Sequence, residues 1–257
     1  MAFYQQGVEN FKESNGYVID DIWYPRVTSI ISIKAKPALY RYYADLENFA
    51  QGEEIKKKSA DEGTRVHSAV EAILTGKDPA VDKDISPAVH AFRKFMDEKN
   101  IQVDPEYVER RLVNYNDRYA GTVDSVALID GKLGVLDIKT SSGIYKDYTL
   151  QLAAYFPPLQ ELLRGLSTRW ILRIDQDQIC NICGATKREK GGRVKVKAPY
   201  PSNGINSKLC DHEWSEVRGI TELKEFPYWQ DDYQAFLGAK KLWEWDNISH
   251  LKKIGYL

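Results

Sequence analysis

Gly121-Thr-Val-Asp-Ser-Val-Ala-Leu-Ile-Asp-Gly-Lys-Leu-Gly-Val-Leu-Asp-Ile-Lys-Thr140 is the stretch whose reading decides the fold. Two apolar runs, residues 122–129 and 133–139, flank Asp130-Gly131. That pair tolerates the positive φ of a two-residue turn, so the stretch predicts a β-hairpin. Asp124 falls near the start of the first strand, and Asp137 and Lys139 near the end of the second. Their i, i+2 spacing puts Asp137 and Lys139 on one face, while Ile138 points the other way into the core. Two carboxylates and a lysine ending an apolar hairpin are costly to desolvate unless they bind something, and a divalent metal is the expected occupant. An ion pair between Asp137 and Lys139, with Asp124 a solvated edge residue, is the alternative.

Three further segments bear on the choice. Gln151-Leu-Ala-Ala-Tyr155 opens a helix with Gln151 and Tyr155 one turn apart. Gly63-Thr-Arg-Val-His-Ser-Ala-Val-Glu71 places His67 and Glu71 at i, i+4 on another helix. Pro25-Arg-Val-Thr28 stands before the first long helix, with Arg26 either a surface residue or a phosphate contact. The segments G-T-R-V-H-x-x-x-E, G-T-V-D, L-D-I-K-T and Q-L-A-A-Y, in this order, resemble the PD-(D/E)XK nuclease superfamily. They are most similar to its RecB-like exonuclease branch, which includes CRISPR-associated and mitochondrial genome maintenance nucleases. The match spans residues 63–155, and Pro-x-Val-Thr extends it.

The resemblance implies an α/β, restriction-endonuclease-like core, a central mixed sheet flanked by helices. It implies a metal-dependent deoxyribonuclease, an exonuclease acting on single-stranded or end-containing DNA in replication, recombination or repair, alongside replication or repair partner proteins. Asp124 and Asp137 would hold Mg²⁺ or Mn²⁺ with the Ile138 carbonyl, and the resemblance adds His67. Imidazole among oxygen ligands favours Mn²⁺ more than an all-oxygen shell would. Lys139 would orient the attacking water, Gln151 and Tyr155 would position Lys139 or the strand, and Glu71 would support His67. A lone helical histidine is otherwise a satisfied core residue. A non-catalytic nucleic-acid-binding protein on the same fold is the rival function, although it has no chemical need for Lys139 beside Asp137.

The chain has 257 residues, 43% hydrophobic and 28% charged, with a formal net charge of −1. These are the proportions of a globular protein with a sizeable core. No apolar run approaches the roughly 20 residues of a membrane span, so the expectation is a cytoplasmic protein without membrane contact. A DNA-binding chain of this balance must gather its positive charge locally.

Along the chain, the first 25 residues carry aromatics without a helical period, and residues 17–23 suit a short strand or hairpin arm. Residues 37–51 predict a helix with Leu39, Tyr42, Tyr43, Leu46 and Phe49 as its stripe. Residues 53–74 predict a second helix, in which Gly63 marks close approach of another backbone or of DNA. Residues 86–100 predict a third helix. Residues 103–115 predict a strand entering the central sheet, with Glu109, Arg110 and Arg111 as surface charges. A helix over 148–163 should be interrupted at Pro157-Pro158, and a strand follows at 168–175. Residues 227–257 predict a closing helix with Tyr233, Phe236, Leu237, Leu242 and Trp243 as core.

All three cysteines lie in Cys180-Asn-Ile-Cys183-Gly and Cys210-Asp-His212. C-x-x-C-G followed by C-x-H offers four soft or borderline ligands and predicts a structural Zn²⁺ site of Cys180, Cys183, Cys210 and His212. Three unrelated thiols are the alternative. Some RecB-like relatives hold an iron–sulfur cluster on four cysteines, a count this chain does not reach. Between the ligand pairs stand Lys187, Arg188, Lys190, Arg193, Lys195 and Lys197 around Gly191-Gly192. They predict a basic hairpin arm, either contacting phosphates or merely solvated. The organisation expected is a nuclease core over 1–176, a zinc-binding basic insertion over 177–214 and a closing segment over 215–257.

Overall fold

Asp130 and Gly131 take φ of 50° and 76° and turn the chain between two strands. In this computed structural model, residues 2–200 and 204–257 are described. The chain begins with α1 (Ala2–Asn15), β1 (Gly16–Ile19), β2 (Ile22–Pro25), α2 (Val27–Ile31), α3 (Pro37–Ala44), α4 (Phe49–Leu74) and α5 (Ser86–Lys99). It continues through β3 (Gln102–Val103), β4 (Arg110–Asn114), β5 (Tyr119–Val123), β6 (Ser125–Ile129) and β7 (Lys132–Lys139). Then come α6 (Asp147–Leu162), β8 (Leu166–Ile179), β9 (Thr186–Lys190), β10 (Arg193–Lys197), β11 (Arg218–Glu225), α7 (Gln230–Asp246) and α8 (Ile248–Lys253).

Seven strands build the central sheet in the order β10-β9-β8-β7-β6-β3, with β11 also paired to β8. β6 and β7 are antiparallel from Ser125↔Leu136 to Ile129↔Lys132. β7 and β8 are parallel, as a helical crossover through α6 allows. The sheet is therefore mixed. Its two faces bury separate cores. Val126, Val135 and Ile171 pack with Leu152, Phe156 and Leu159 of α6 and with Phe236 of α7. Leu136, Ile138 and Leu172 pack with Val66, Val70, Val89 and Phe92 of α4 and α5. The fold is α/β, a mixed central sheet flanked by helices. Alternation along β7 sends Val135, Asp137 and Lys139 towards α6 and Ile138 towards α4, as the sequence predicts.

Several elements depart from expectation. The first residues form α1, which lacks an apolar stripe but is held by tertiary packing. Trp23 Nε1 donates to the Lys12 carbonyl at 3.1 Å, and Phe11 stacks on His250 at 4.7 Å. The helix expected over 37–51 stops at Ala44. Asn48, extended at φ −157°, then caps α4 by accepting from Gln51 N at 2.9 Å, so α4 begins at Phe49. Phe49 is exposed.

Residues 103–115 do not form one strand entering the sheet. β3 pairs at the sheet's edge with β6, and β4 pairs with β5 in a separate two-stranded ladder. Pro157 and Pro158 sit inside α6 without interrupting it. Pro158 cannot donate to the Ala154 carbonyl, and Tyr119 Oη donates to that oxygen instead, at 2.8 Å. The closing segment divides into α7 and α8, and Leu242 is exposed rather than core. Among the described residues, no helix is long and apolar enough to cross a membrane.

Candidate functional site

Asp124 interrupts the run from β5 into β6. Its backbone carbonyl accepts from Glu109 N at 3.1 Å, and its Oδ2 accepts from Ile138 N at 2.7 Å. The break thus turns Asp124 onto the end of β7, beside Asp137 and Lys139. Asp137 has no solvent exposure. Its Oδ2 lies 2.6 Å from Lys139 Nζ, an ion-pair contact without hydrogen-bond alignment, and its Oδ1 has no donor. Lys139 Nζ also donates to Gln151 Oε1 at 3.2 Å and sits 5.3 Å over the Tyr148 ring. Gln151 Nε2 in turn donates to Tyr155 Oη at 3.1 Å. One turn of α6 therefore steers the lysine through an amide relay.

Burial pushes the Asp137 carboxyl up to about 7, against the pull of Lys139 and with a further push from Asp124. Burial raises Asp124 as well, opposed by Lys139 and by the Ile138 N–H. For Lys139, burial acts to lower the ammonium, but Asp137 and Asp124 outweigh it and hold it above its ordinary range. Burial raises the Tyr155 hydroxyl, and the charges of Asp137 and Asp124 raise it further.

His67 approaches from α4. Burial and the Lys139 charge lower its imidazole, keeping it neutral, while Asp137 and the Ile138 carbonyl pull the other way. His67, Glu71 and Glu109 line a cavity of about 420 Å³ with Gly63 and Thr140. Gly63 sits against Thr140: a Cβ there would lie 2.8 Å from Thr140 Oγ1. A neighbouring side chain, not another backbone, accounts for that glycine. Glu71 is exposed at the cavity mouth.

Glu109 is exposed, as its reading as a surface charge implies, and it also lines this cavity. Its φ is 51°, and partial burial, then Asp124, Glu71 and Asp137, raise its carboxyl to about 7. Nothing in an alternating segment announces that φ. Tyr148 was legible in principle, since it precedes Gln151 by three residues on the same helix.

The cysteine cluster is closed. Sγ of Cys180 and Cys210 are 3.9 Å apart, and Cys183 Sγ is 3.4 Å from His212 Nδ1. With Zn–S of about 2.3 Å and Zn–N of about 2.0–2.1 Å, a tetrahedron has sulfur–sulfur edges of about 3.8 Å and sulfur–nitrogen edges of about 3.5 Å, close to these two distances. The ligand atoms of all four residues lie within 4.8 Å of one another. These residues could hold a metal ion such as zinc. Local turns build the site. Gly184, at φ 70°, closes the C-x-x-C-G turn by donating to the Cys180 carbonyl at 2.9 Å. Asn181 N donates to the Glu213 carbonyl and Ser215 N to the Ile179 carbonyl, both at 2.8 Å, which brings the second pair alongside. Burial pushes the Cys180 thiol up, but the Cys183 N–H, His212 and the Ile182 N–H outweigh it and leave about 6.

Among the described residues, no other His, Cys, Asp and Glu group is drawn this close, so His67, Asp124 and Asp137 stand farther apart. The donor set nevertheless suits a hard cation: carboxylates, a neutral imidazole and a buried oxygen without a donor. Mg²⁺ keeps several waters and needs only one or two carboxylates directly, so such a site need not be tight.

β9 and β10 form the expected hairpin, with Gly191 and Gly192 at its tip at φ 60° and 80°. Much of its charge is engaged within the protein. Arg188 Nε lies 3.0 and 2.7 Å from the two Asp175 carboxylate oxygens, and its Nη2 donates to the Thr140 carbonyl at 3.2 Å. Lys190 donates to the same carbonyl, and burial lowers its ammonium to about 8. Arg193 lies over Tyr42 at 4.5 Å and Lys187 over Trp214 at 5.0 Å. Lys195 and Lys197 are exposed. The arm is thus pinned to the residue after Lys139, a docking no spacing in the sequence discloses.

No family model matches the chain, and no curated protein matches it.

Proposed function

We propose that this protein is a Mg²⁺- or Mn²⁺-dependent nuclease that hydrolyses DNA phosphodiester bonds. The observation that carries the proposal is Asp137, wholly buried, with one oxygen lacking a donor and the other against Lys139. An isolated buried anion is costly, and such an oxygen is best explained by a cation that belongs there. Asp124, Asp137, His67 and the Ile138 carbonyl would hold that ion, with Glu71 and Glu109 at the cavity's wall. The metal supplies charge neutralisation at the phosphate and a more acidic bound water.

The protein's own side chains do the rest. Lys139 keeps its proton and presents it beside Asp137, where it orients water and meets developing negative charge. Gln151 fixes the ammonium, and Tyr155 fixes Gln151. His67 stays neutral and able to ligate, because burial and Lys139 disfavour its cation. The sequence resemblance adds the preference for DNA ends and a place in replication, recombination or repair, with partner proteins from those processes. Cys180, Cys183, Cys210 and His212 would bind Zn²⁺ with no open position, a structural site that anchors the hairpin.

A fluorescently labelled oligonucleotide incubated with the protein and Mg²⁺ or Mn²⁺ tests the proposal. Shortened product with Mg²⁺ or Mn²⁺ and none from the zinc-loaded protein without them is expected. An intact oligonucleotide under every metal condition leaves only a nucleic-acid-binding or structural role.

A further inference from the structure

Many arginines in this molecule are paired. Arg65, Arg93, Arg173 and Arg218 each meet a carboxylate within 3.0 Å. Arg26 and Arg111 behave differently. Both guanidinium groups lie over the ring of Tyr17, with their Cζ atoms 4.6 and 4.2 Å from its centroid. Among the described residues, neither forms an ion pair. Arg26 gives Nη2 to the Glu13 and Gly16 carbonyls at 3.3 and 3.5 Å, while its Nε is buried without a partner. Arg111 is exposed. Two cations gathered on one ring repel each other unless an anion lies between or beside them. The ring holds each plane by cation–π attraction; Arg111 keeps its N–H edges free for an anion, while Arg26 keeps only Nη1.

Their place in the fold says which anion. Arg26 bridges to Ala120, and Arg111 stands opposite Thr122, so both flank β5. Asp124 follows Thr122 by two residues, about 7 Å along a strand. The ladder reaches it through the Glu109 N–H on the Asp124 carbonyl. The backbone of Arg111 is thus level with a point about one strand repeat from Asp124 and that of Arg26 about two, whereas Arg188 and Lys190 of the hairpin are committed to Asp175 and Thr140.

We propose that Arg26 and Arg111, stacked on Tyr17, form a clamp for a backbone phosphate next to the one cleaved. The Arg111 fork matches phosphate oxygens bidentately, which a lysine cannot do, and Arg26 Nη1 adds a single charge-assisted bond. That the phosphate belongs to DNA rests on the nuclease reading. Phosphate binding itself does not.

The experiment is an anisotropy titration of a fluorescein-labelled oligonucleotide, single-stranded and duplex, with the full zinc-loaded chain and no added Mg²⁺ or Mn²⁺ across about 50–200 mM salt. Arg26→Gln/Arg111→Gln should weaken binding roughly tenfold or more. Its plot of log affinity against log salt should be shallower by about 0.7–0.9, the loss of one neutralised phosphate. Arg111→Gln alone, whose side chain makes no hydrogen bond to the described protein, should show about half that change and keep the wild-type melting temperature. Arg164→Gln, at the far end of α6 from Gln151, should leave both quantities unchanged. Arg26→Lys/Arg111→Lys should keep the slope but lose affinity, because the ammonium retains charge without the fork.

Unchanged affinity and slope in Arg111→Gln and in the double variant overturn the clamp, as does a wild type that binds neither oligonucleotide. If the slopes change as expected but wild type cuts nothing with Mg²⁺ or Mn²⁺, the clamp stands and the nuclease reading falls.

Discussion

The acidic site at the end of β7 and the cysteine cluster after β8 both gather candidate metal ligands, and they do so in opposite ways. The cysteine ligands come from two short turns, C-x-x-C-G and C-x-H, joined by backbone hydrogen bonds, and they already close to 4.8 Å. Thiols and an imidazole can be neutral, so they approach one another without an ion. The acidic set comes from α4, β7 and the break between β5 and β6, and its members repel when ionised. Each carboxylate is therefore held by something else: Asp124 by the Ile138 N–H, Asp137 by the Lys139 ammonium. A soft site is preformed by its turns, and a hard site is held open by its own charges. The β9–β10 hairpin joins the two, since it leaves the cysteine turn and lands on Thr140.

The sharpest way to break this comparison is at Lys139. Lys139→Ala and Asp137→Ala should each lower metal-dependent cleavage at least about 10³-fold, the upper end of what losing one charge-stabilising group costs. Single-turnover cleavage of a labelled oligonucleotide reads this. A loss under tenfold would make the pair an ordinary buried ion pair.

The second test falls on the soft site. Protein purified without added metal should contain about one zinc per chain, the stoichiometry of one four-ligand site. Cys183→Ser should abolish it and lower the melting temperature, since binding free energy at a structural site is folding free energy. It should reduce cleavage far less than Lys139→Ala. Iron in a coloured preparation would reverse the assignment of the ion.

A smaller effect probes the link. Arg188→Ala removes one partner of Asp175, but Arg173 remains at 3.0 Å. The cost should be about 1–3 kcal/mol in denaturant unfolding. Amide exchange should quicken in β9 and β10 and stay unchanged in α6. Equal quickening in α6 would show that the hairpin is not a separately docked unit.

What was legible in the sequence follows the same division. The Asp130-Gly131 turn, the alternation placing Asp137 and Lys139 on one face, and the cysteine turns are local patterns, and the structure has them where the residues imply. The α/β character was what the resemblance implied, and the mixed sheet flanked by helices agrees with it. Features set by distant partners were not legible. α1 exists because Phe11 finds His250 and Lys12 meets Trp23, far along the chain. Pro158 is tolerated because Tyr119 satisfies Ala154. β11 lacks a strong alternating apolar run, and pairing with β8 makes it a strand. Glu109 joins the site through one positive φ, and Arg188 and Lys190 spend on Thr140 the charge that spacing alone assigned to DNA.

Manganese binding by the intact protein tests the central claim most directly, by titrating Mn²⁺ and following its free-ion electron paramagnetic resonance signal. Wild type should remove Mn²⁺ from solution, while Asp137→Asn, with zinc content and melting temperature retained, should bind it at least about tenfold more weakly, since even a residue that only supports a metal ligand costs about that much. Equal Mn²⁺ binding by the two proteins would contradict the account, because the buried Asp137 oxygen would then not be a cation's ligand.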